Sequence, residues 1–382
     1  MSRSHELPWS LRTVKSFTRR EANKRGVRWR RLAADDLEHP FHGILRPAGS
    51  DPSVRALAEA YAKRMPQRQV FSHETAAAIW GVPLPASAET TSIPPAPAAD
   101  DSSAVEPGES GSALPTTEPP SSGEAVASAP PLHVSVPRGS APPAARGVVG
   151  HVLNFERLTV NVHTGLRVVD PASAWVQCAT RLSLDDLVAA ADFLLTGTQP
   201  FDGRAPRCTR DDLVAAIERH AGCRGAGRLR QALELARSGP LSRRESLLRL
   251  DLLRGGLPEP ECNHRVLGAD GSLVAMIDLA YPEFRVGLEY QSDLHRPAAA
   301  FRRDIGRLER LADVDWMIVQ VTSDDVSADG AVRNSEALRE RVAARLRARG
   351  WRPEHELMAS APDEAAGGAD GIDSSRRPAS HS

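Results

Sequence analysis

LVAMIDLAYPEFRVGLEYQ, residues 273–291, is the stretch that decides the fold of the C-terminal third of this chain. Its apolar runs, residues 273–281 and 284–290, flank a Pro-Glu pair that is typical of a tight turn. The two runs predict antiparallel strands, and each strand carries one carboxylate, Asp278 in the first and Glu289 in the second. We therefore expect these two carboxylates to lie near one another.

A helix is predicted just before this hairpin. Ser242 and Glu245 have the S/T-x-x-E spacing of a capping box, and several leucines follow. Glu245, Leu248 and Leu252 are three and four residues apart, so the carboxylate shares a helix face with core leucines. This spacing predicts that Glu245 points along the edge of the sheet.

The carboxylates of Glu245, Asp278 and Glu289 are thus expected to converge in a largely apolar setting. Such groups repel and raise one another's pKa unless a divalent cation neutralises them. The pattern therefore predicts a metal site formed by these three residues.

A second helix, predicted at residues 297–312, follows the hairpin and carries Arg303 and Arg307 along one face. A final strand is predicted at residues 316–321. The order helix, strand, strand, helix, strand completes a compact αβ module over residues 241–350.

Composition sets broad limits. A chain of 382 residues with 41% apolar residues and a net charge of −1 suggests about two or three domains. The four cysteines form no C-x-x-C pair, so neither a zinc site nor a disulfide framework is indicated. No apolar run approaches the ~18 residues of a membrane span, and the polar start lacks a secretory signal. We expect a cytoplasmic protein that does not bind membranes.

The N-terminal segment is basic. Residues 1–31 contain ten basic and two acidic residues, a charge that suits a polyanion such as DNA. A capping box at residues 18–21 predicts a short helix, and the order helix, turn, helix, strand in residues 1–85 is typical of a winged helix. The candidate nucleic-acid contacts in this segment are Arg19, Arg20 and Arg28.

The rest of the chain divides by composition. Residues 86–131 are rich in Pro, Ala and Ser, lack Lys and Arg, and carry seven acids, which predicts a disordered acidic linker. Residues 132–240 predict an α+β scaffold without a catalytic constellation, and residues 351–382 predict a disordered tail. The fold class expected overall is mixed α/β (α+β).

The C-terminal motifs resemble a known family. The hairpin sequence, with RRDIGRLERL and DWMIVQVT after it, is similar to the PD-(D/E)xK nuclease superfamily, in its branch like very-short-patch-repair endonucleases. This resemblance implies a restriction-endonuclease-like fold that hydrolyses DNA phosphodiester bonds with Mg²⁺ or Mn²⁺. It implies metal binding by Glu245, Asp278 and Glu289.

The N-terminal and middle motifs resemble another family. FTRREANKRGV, FHGILRP, FSHETAAAIWGVPLP, VSVPRG and GLRVVDPASAW are similar to AbiEi-like antitoxins of type IV toxin–antitoxin systems, which begin with a winged helix. This resemblance implies a DNA-binding or regulatory unit and a cognate toxin or other partner gene product.

The nuclease resemblance also assigns catalytic positions. Glu289 and Gln291 occupy the conserved acid and lysine positions, so this chain has a neutral amide where the superfamily usually has a cation. His295 is the candidate general base or acid, and Arg303 and Arg307 could supply the missing positive charge and contact nucleic acid.

Simpler interpretations stay open at this point. Glu245 could serve only as a helix cap paired with Arg249, and His295 could be a structural hydrogen-bonder. Asp278 and Glu289 could form ion pairs with arginines of the following helix. Two functions follow: a metal-dependent DNA endonuclease, or an antitoxin-like transcriptional regulator in which the nuclease fold only holds DNA.

Overall fold

A computed structural model describes residues 6–85, 130–197, 205–291, 298–327 and 330–353. Within these ranges the protein has the expected mixed α/β architecture, with twelve α-helices and three sheets. The predicted linker and C-terminal tail lie almost wholly outside the described residues. None of the described helices has both the length and the apolar character needed to cross a membrane.

The helices are α1 (Trp9–Arg12), α2 (Arg19–Lys24), α3 (Trp29–Leu32), α4 (Val54–Ala62), α5 (His73–Trp80), α6 (Pro171–Gln177), α7 (Leu184–Leu195), α8 (Arg210–Arg219), α9 (Ala226–Leu235), α10 (Arg243–Arg254), α11 (Ala298–Asp313) and α12 (Ser335–Ala348). The strands are β1 (Phe17–Thr18), β2 (Leu37–Phe41), β3 (Ile44–Pro47), β4 (Val70–Phe71), β5 (Leu132–Pro137), β6 (Val148–Leu153), β7 (Val160–His163), β8 (Leu166–Val169), β9 (Glu261–Leu267), β10 (Leu273–Tyr281), β11 (Val286–Tyr290) and β12 (Met317–Val321).

The N-terminal part contains a small antiparallel sheet in the order β1-β3-β2. The capping box predicted before α2 is present, because the Thr18 hydroxyl accepts from the Glu21 N–H while Glu21 Oε2 accepts from the Thr18 N–H at 2.6 Å. Gly43, with φ of +72°, allows the tight turn between β2 and β3. A separate apolar cluster that includes Leu11 and Phe17 packs beneath these elements.

The middle of the chain is built on a five-stranded sheet in the order β6-β5-β4-β8-β7. Strands β5 and β6 are parallel, as are β4 and β8, whereas the other two pairs are antiparallel. The largest apolar core covers this sheet. Trp175 is buried there, and its indole N–H donates to the Leu187 carbonyl at 2.9 Å, which satisfies its one polar group.

The central strand β4 comes from the N-terminal side of the predicted linker. It pairs with β5 and β8, and helices α4 and α5 pack in the same core. The sheet therefore crosses the predicted boundary at residue 85, and residues 54–82 share a core with the middle region. Local patterns could not indicate this, since β4 is only two residues long and its partners lie far along the chain.

The C-terminal unit is a four-stranded sheet in the order β12-β11-β10-β9. Strands β9, β10 and β11 form an antiparallel meander, and β12 adds in parallel to β11 after helix α11. The observed order is therefore helix, three strands, helix, strand. The sequence pattern does not predict β9, because its residues, ECNHRVL, are too polar to show apolar alternation.

Both faces of this sheet are covered. One core cluster joins α10 and α12 to the sheet through residues such as Leu252 and Val342, while Leu311 of α11 packs on the opposite face. The sheet is thus held between helices, which buries the central strands on both sides.

Candidate functional site

The hairpin of β10 and β11 places two carboxylates side by side, as the sequence predicts. Leu279 pairs with Leu288, so Asp278 and Glu289 lie at the next opposed position of the antiparallel ladder. The Tyr290 N–H donates to Asp278 Oδ2 at 3.0 Å. Both side chains therefore lie where β11 ends.

Glu289 is paired with an arginine. The residue is only 2% exposed, and the Arg307 guanidinium donates to both carboxylate oxygens, with Nη2 to Oε2 at 2.5 Å. A bidentate pair of this kind is the strongest type of ion pair in proteins. The ion-pair interpretation therefore holds for Glu289, and Arg307 faces this carboxylate rather than projecting freely into solvent.

Glu245 is both a helix cap and a neighbour of Asp278. Its carboxylate accepts from the Leu241 N–H at 2.8 Å, the Ser242 hydroxyl at 2.7 Å and the Asn263 amide at 2.6 Å. Burial raises the pKa of Glu245, and the charge of Asp278 raises it further. All three hydrogen-bond donors are neutral, so this carboxylate lacks a direct positive partner among them.

Arg249 is not the partner of Glu245. It is fully buried, and its guanidinium donates to Asp192 at 3.0 Å and to Glu259 at 2.8 Å. It also donates to the Leu235 carbonyl at 2.9 Å. The spacing of Glu245 and Arg249 would suit a pair on an isolated helix, but packing of α10 against α7 turns the arginine toward the middle unit.

Asp278 is largely removed from water as well. Burial raises its pKa, while the Tyr290 N–H and the charges of Arg307 and Arg244 act in the opposite direction. The Arg244 guanidinium lies 3.7 Å from the centre of the Tyr290 ring, which brings a second cation to the same end of the hairpin.

The three carboxylates are held on neighbouring elements without forming a closed ligand set. Among the described residues, the His, Cys, Asp or Glu side chains that bring three ligand atoms within 4.8 Å of one another are histidines. Glu245, Asp278 and Glu289 do not form such a group. The hydrogen bonds of Glu245 and the ion pair of Glu289 direct these side chains to protein partners.

The remaining predicted catalytic positions lie at the end of β11. The Gln291 N–H donates to the Val321 carbonyl at 2.7 Å, which extends the pairing of β11 with β12 by one residue. His295 falls outside the described residues, and so does the side chain of Arg303.

The N-terminal arginines lie at the surface. Arg19, Arg20 and Arg28 are exposed, and Trp29 beside them is 71% exposed with the Arg30 guanidinium 5.5 Å from its ring centre. A basic surface with an accessible aromatic ring has the composition that nucleic-acid surfaces use.

The middle unit contains a cluster that sequence patterns did not indicate, formed by His73, His133 and His151. The His73 and His151 rings stack with centres 3.9 Å apart, and His133 Nδ1 lies 2.9 Å from His151 Nε2. Burial lowers the pKa of His73 to about 2 and those of His133 and His151 to about 4, so all three rings are neutral at pH 7. The histidines have no motif spacing, and the pairing of β4, β5 and β6 together with the start of α5 brings them together.

Comparison with known proteins gives two matches. The chain is 31% identical over 164 residues to an uncharacterized protein of Mycobacterium tuberculosis, MT2308 in strain CDC 1551 / Oshkosh and Rv2248 in strain ATCC 25618 / H37Rv. The match covers 43% of this chain and 57% of each relative, so the chain spans little more than half the length of these proteins. No family model matches the chain. No solved structure matches it either.

Proposed function

We propose that this protein is a metal-dependent DNA endonuclease whose C-terminal unit hydrolyses phosphodiester bonds and whose basic N-terminal segment contacts DNA. The observation that carries the proposal is the adjacency of Glu245 and Asp278, two largely buried carboxylates for which the described residues provide no ion pair. Buried carboxylates are costly unless they are paired or bound to a metal. A cation shared by these two groups removes that cost.

Oxygen ligands favour Mg²⁺ or Mn²⁺ as that cation. When bound, such an ion polarises a phosphate and activates a water molecule. The chain itself holds the ligands in place, since the Tyr290 N–H orients Asp278 and the Asn263 amide orients Glu245. Glu289 is the third candidate ligand.

Arg307 has a separate role in this proposal. It neutralises Glu289 in the described arrangement and adds a positive charge beside Asp278. A guanidinium binds phosphate oxygens in the same bidentate way as carboxylate oxygens. Arg307 therefore supplies the positive charge that Gln291 lacks, and Arg303 and His295 lie nearby in sequence. His295 is the proposed general base or acid.

A second function has a specific observation in its favour. The bidentate pair of Arg307 with Glu289 already satisfies one of the three candidate ligands without a metal. Gln291, which hydrogen-bonds but carries no charge, also favours a site that holds DNA without cutting it. The protein would then be an antitoxin-like transcriptional regulator with a cognate partner.

Plasmid cleavage in Mg²⁺ or Mn²⁺ separates the two functions. Native protein is compared with Asp278→Asn and Glu289→Gln, which keep the side-chain shape and remove the charge. Glu283→Gln is the matched control, because Glu283 is an exposed acid in the turn of the same hairpin. DNA retardation on a gel is measured on the same samples.

The endonuclease is supported if native protein and Glu283→Gln cut the plasmid while Asp278→Asn and Glu289→Gln do not. Intact plasmid with native protein, with DNA still retarded, would rule out the endonuclease and support the regulator. Equal cleavage by all four proteins would show that the activity comes from elsewhere and would overturn the assigned site.

A further inference from the structure

We propose that His73, His133 and His151 bind one transition-metal ion of the Zn²⁺ class, with a fourth coordination position open to an exogenous ligand. This site lies in the middle unit, and it does not depend on the proposed endonuclease. Four features of the cluster support the proposal: its position in the sheet, its ligand geometry, the partners of its outer nitrogens and its access to solvent.

Three elements of the sheet region bring the ligands together. His133 lies on β5 and His151 on β6, and these parallel neighbours pair so that Ser135 is opposite His151. His73 is the first residue of α5, directly after β4 and Ser72. Because β4 and β5 are adjacent in the sheet, rigid elements support all three ligands.

The backbone at His73 is constrained in a way that aims its ring. His73 has a φ of +51°, a left-handed conformation that is uncommon for residues other than glycine. Its N–H donates to the Gln177 side chain at 2.9 Å, which ties this conformation to α6. Strained residues of this kind persist where the surrounding structure enforces them, and they cluster at functional sites.

The ring nitrogens are close enough to share an ion. One ligand atom from each histidine lies within 4.8 Å of the other two. A tetrahedral Zn²⁺ with bonds of about 2.0–2.1 Å separates its nitrogen ligands by about 3.3 Å. His133 Nδ1 and His151 Nε2 are 2.9 Å apart, so a small rotation of the two rings creates the required spacing.

The outer nitrogens of His73 and His133 face polar groups that suit a metal-bound orientation of these rings. His73 Nδ1 lies 3.0 Å from the Ser72 hydroxyl, which leaves its Nε2 as the inward ligand. His133 Nε2 lies 3.6 Å from Glu74 Oε2, a buried oxygen with no hydrogen-bond partner, which leaves Nδ1 as the inward ligand. Metal-bound histidines typically donate the outer N–H to a carboxylate, a backbone carbonyl or water behind the ring.

Glu74 itself is positioned for this role. It is buried, and its other oxygen pairs with the Arg181 guanidinium. A small shift of the His133 ring on metal binding would bring its Nε2–H into hydrogen-bond range of Glu74 Oε2. That bond would satisfy the free oxygen and raise the basicity of the ligand.

The composition of the site selects the type of ion and leaves one position free. Three imidazoles without a carboxylate or thiolate favour Zn²⁺ and its transition-metal neighbours over Mg²⁺ or Ca²⁺. His133 is buried, whereas His73 and His151 are only half-buried, so the fourth position faces the exposed side of the cluster. Zinc sites with three protein ligands keep that position for water or a substrate.

The test uses the full chain without a histidine tag, freed of metal with a chelator. Zn²⁺ binding is measured by calorimetry, and Co²⁺ is added separately so that its visible absorption reports the coordination geometry. The variants are His151→Gln and Glu74→Gln, with His42→Gln as the control because His42 is an exposed histidine away from the cluster. Circular dichroism verifies the folding of each protein.

Native protein and His42→Gln should bind one Zn²⁺ and give the absorption of tetrahedral Co²⁺. His151→Gln should lose at least tenfold in affinity, and Glu74→Gln should lose about 10- to 100-fold as an outer-shell partner. Absence of Zn²⁺ binding by native protein, or equal affinity in native protein and folded His151→Gln, overturns the proposal and leaves a structural histidine cluster.

X-ray absorption of the native Zn²⁺ complex keeps the proposal testable if a variant does not fold. Nitrogen ligands at about 2.0–2.1 Å without sulfur are expected. Sulfur at about 2.3 Å would place the ion at a cysteine and contradict the histidine site.

Discussion

The Arg307 guanidinium and the Glu289 carboxylate form two parallel hydrogen bonds, each 2.5 Å long, beside Asp278 on the central hairpin of the C-terminal unit. Glu289 is almost fully buried, whereas the Arg307 side chain is 29% exposed. The pair therefore links a buried negative charge to the surface through an arginine.

Replacing Arg307 with methionine should destabilise the protein. The variant removes the bidentate guanidinium partner of the buried Glu289 carboxylate, and breaking a buried ion pair in this way typically costs about 3–5 kcal/mol in the free energy of unfolding. We expect the lower end, about 3 kcal/mol, because Arg307 is partly exposed. Urea denaturation measures the change, and Arg310→Met, an exposed position on the same helix, is the control.

The double variant Arg307→Met with Glu289→Gln tests the cause. It should recover most of the lost stability, because the buried position 289 then carries no charge that needs the Arg307 guanidinium. Equal stability of Arg307→Met and native protein would show that the pair of Arg307 with Glu289 contributes little to the free energy of unfolding.

Arg249 should be more important for stability than a surface arginine of the same helix. Its guanidinium and the Asp192 carboxylate are both fully buried, 3.0 Å apart. Arg249→Met should cost about 3–5 kcal/mol in unfolding free energy, because it leaves the Asp192 carboxylate buried without its arginine. Arg254→Met, which breaks the exposed pair with Asp185, should cost about 1 kcal/mol or less. Similar losses in both variants would contradict this difference.

Asp278 should make stability depend on pH in a definite direction. Burial raises the pKa of Asp278 in the folded protein above the usual 3.8. Its favourable contribution to folding stability is therefore fully present below pH 3.8 and is lost as pH rises through the folded pKa. Asp278→Asn resembles the protonated form at every pH. The difference in Tm, variant minus native, should therefore grow between about pH 4 and pH 7 in the presence of a chelator.

Asp270 provides the control for that experiment. Hydrogen bonds from Ser272 lower the pKa of this exposed aspartate, so its ionised form stabilises the fold. Asp270→Asn should lose stability relative to native protein as pH rises through the lowered pKa to about 4, and this deficit should stay constant between about pH 4 and pH 7. A Tm difference for Asp278→Asn that shrinks toward neutral pH would contradict the buried-carboxylate argument.

The exposed N-terminal arginines should contribute to DNA affinity through phosphate contacts. The triple variant Arg19→Ala, Arg20→Ala and Arg28→Ala should weaken DNA binding at all sequences. It should also reduce the slope of log binding constant against log salt concentration by roughly two to three, at about 0.9 per phosphate contact. Fluorescence anisotropy at several salt concentrations measures both effects.

The control removes the same charge from exposed arginines of the middle unit, Arg219, Arg224 and Arg230. Equal slopes in the two triple variants would exclude a local DNA surface.

Local patterns in the chain were sufficient to predict the α2 capping box, the β10–β11 hairpin and the α10 and α11 helices. Caps, turn residues and apolar periodicity act over a few neighbouring positions, so they can be read without tertiary context. The opposed positions of Asp278 and Glu289 follow from the same hairpin, because a tight turn sets the register of its strands.

Tertiary packing decided the partners of these residues. It paired Glu289 with Arg307 and Arg249 with Asp192, and it inserted the two-residue strand β4 into a sheet with strands from beyond the predicted linker. It also assembled the three-histidine cluster from β5, β6 and the start of α5. Contacts of this kind join residues that are distant along the chain. Sheet register and helix packing determine these contacts, and short-range sequence spacing does not predict either of them.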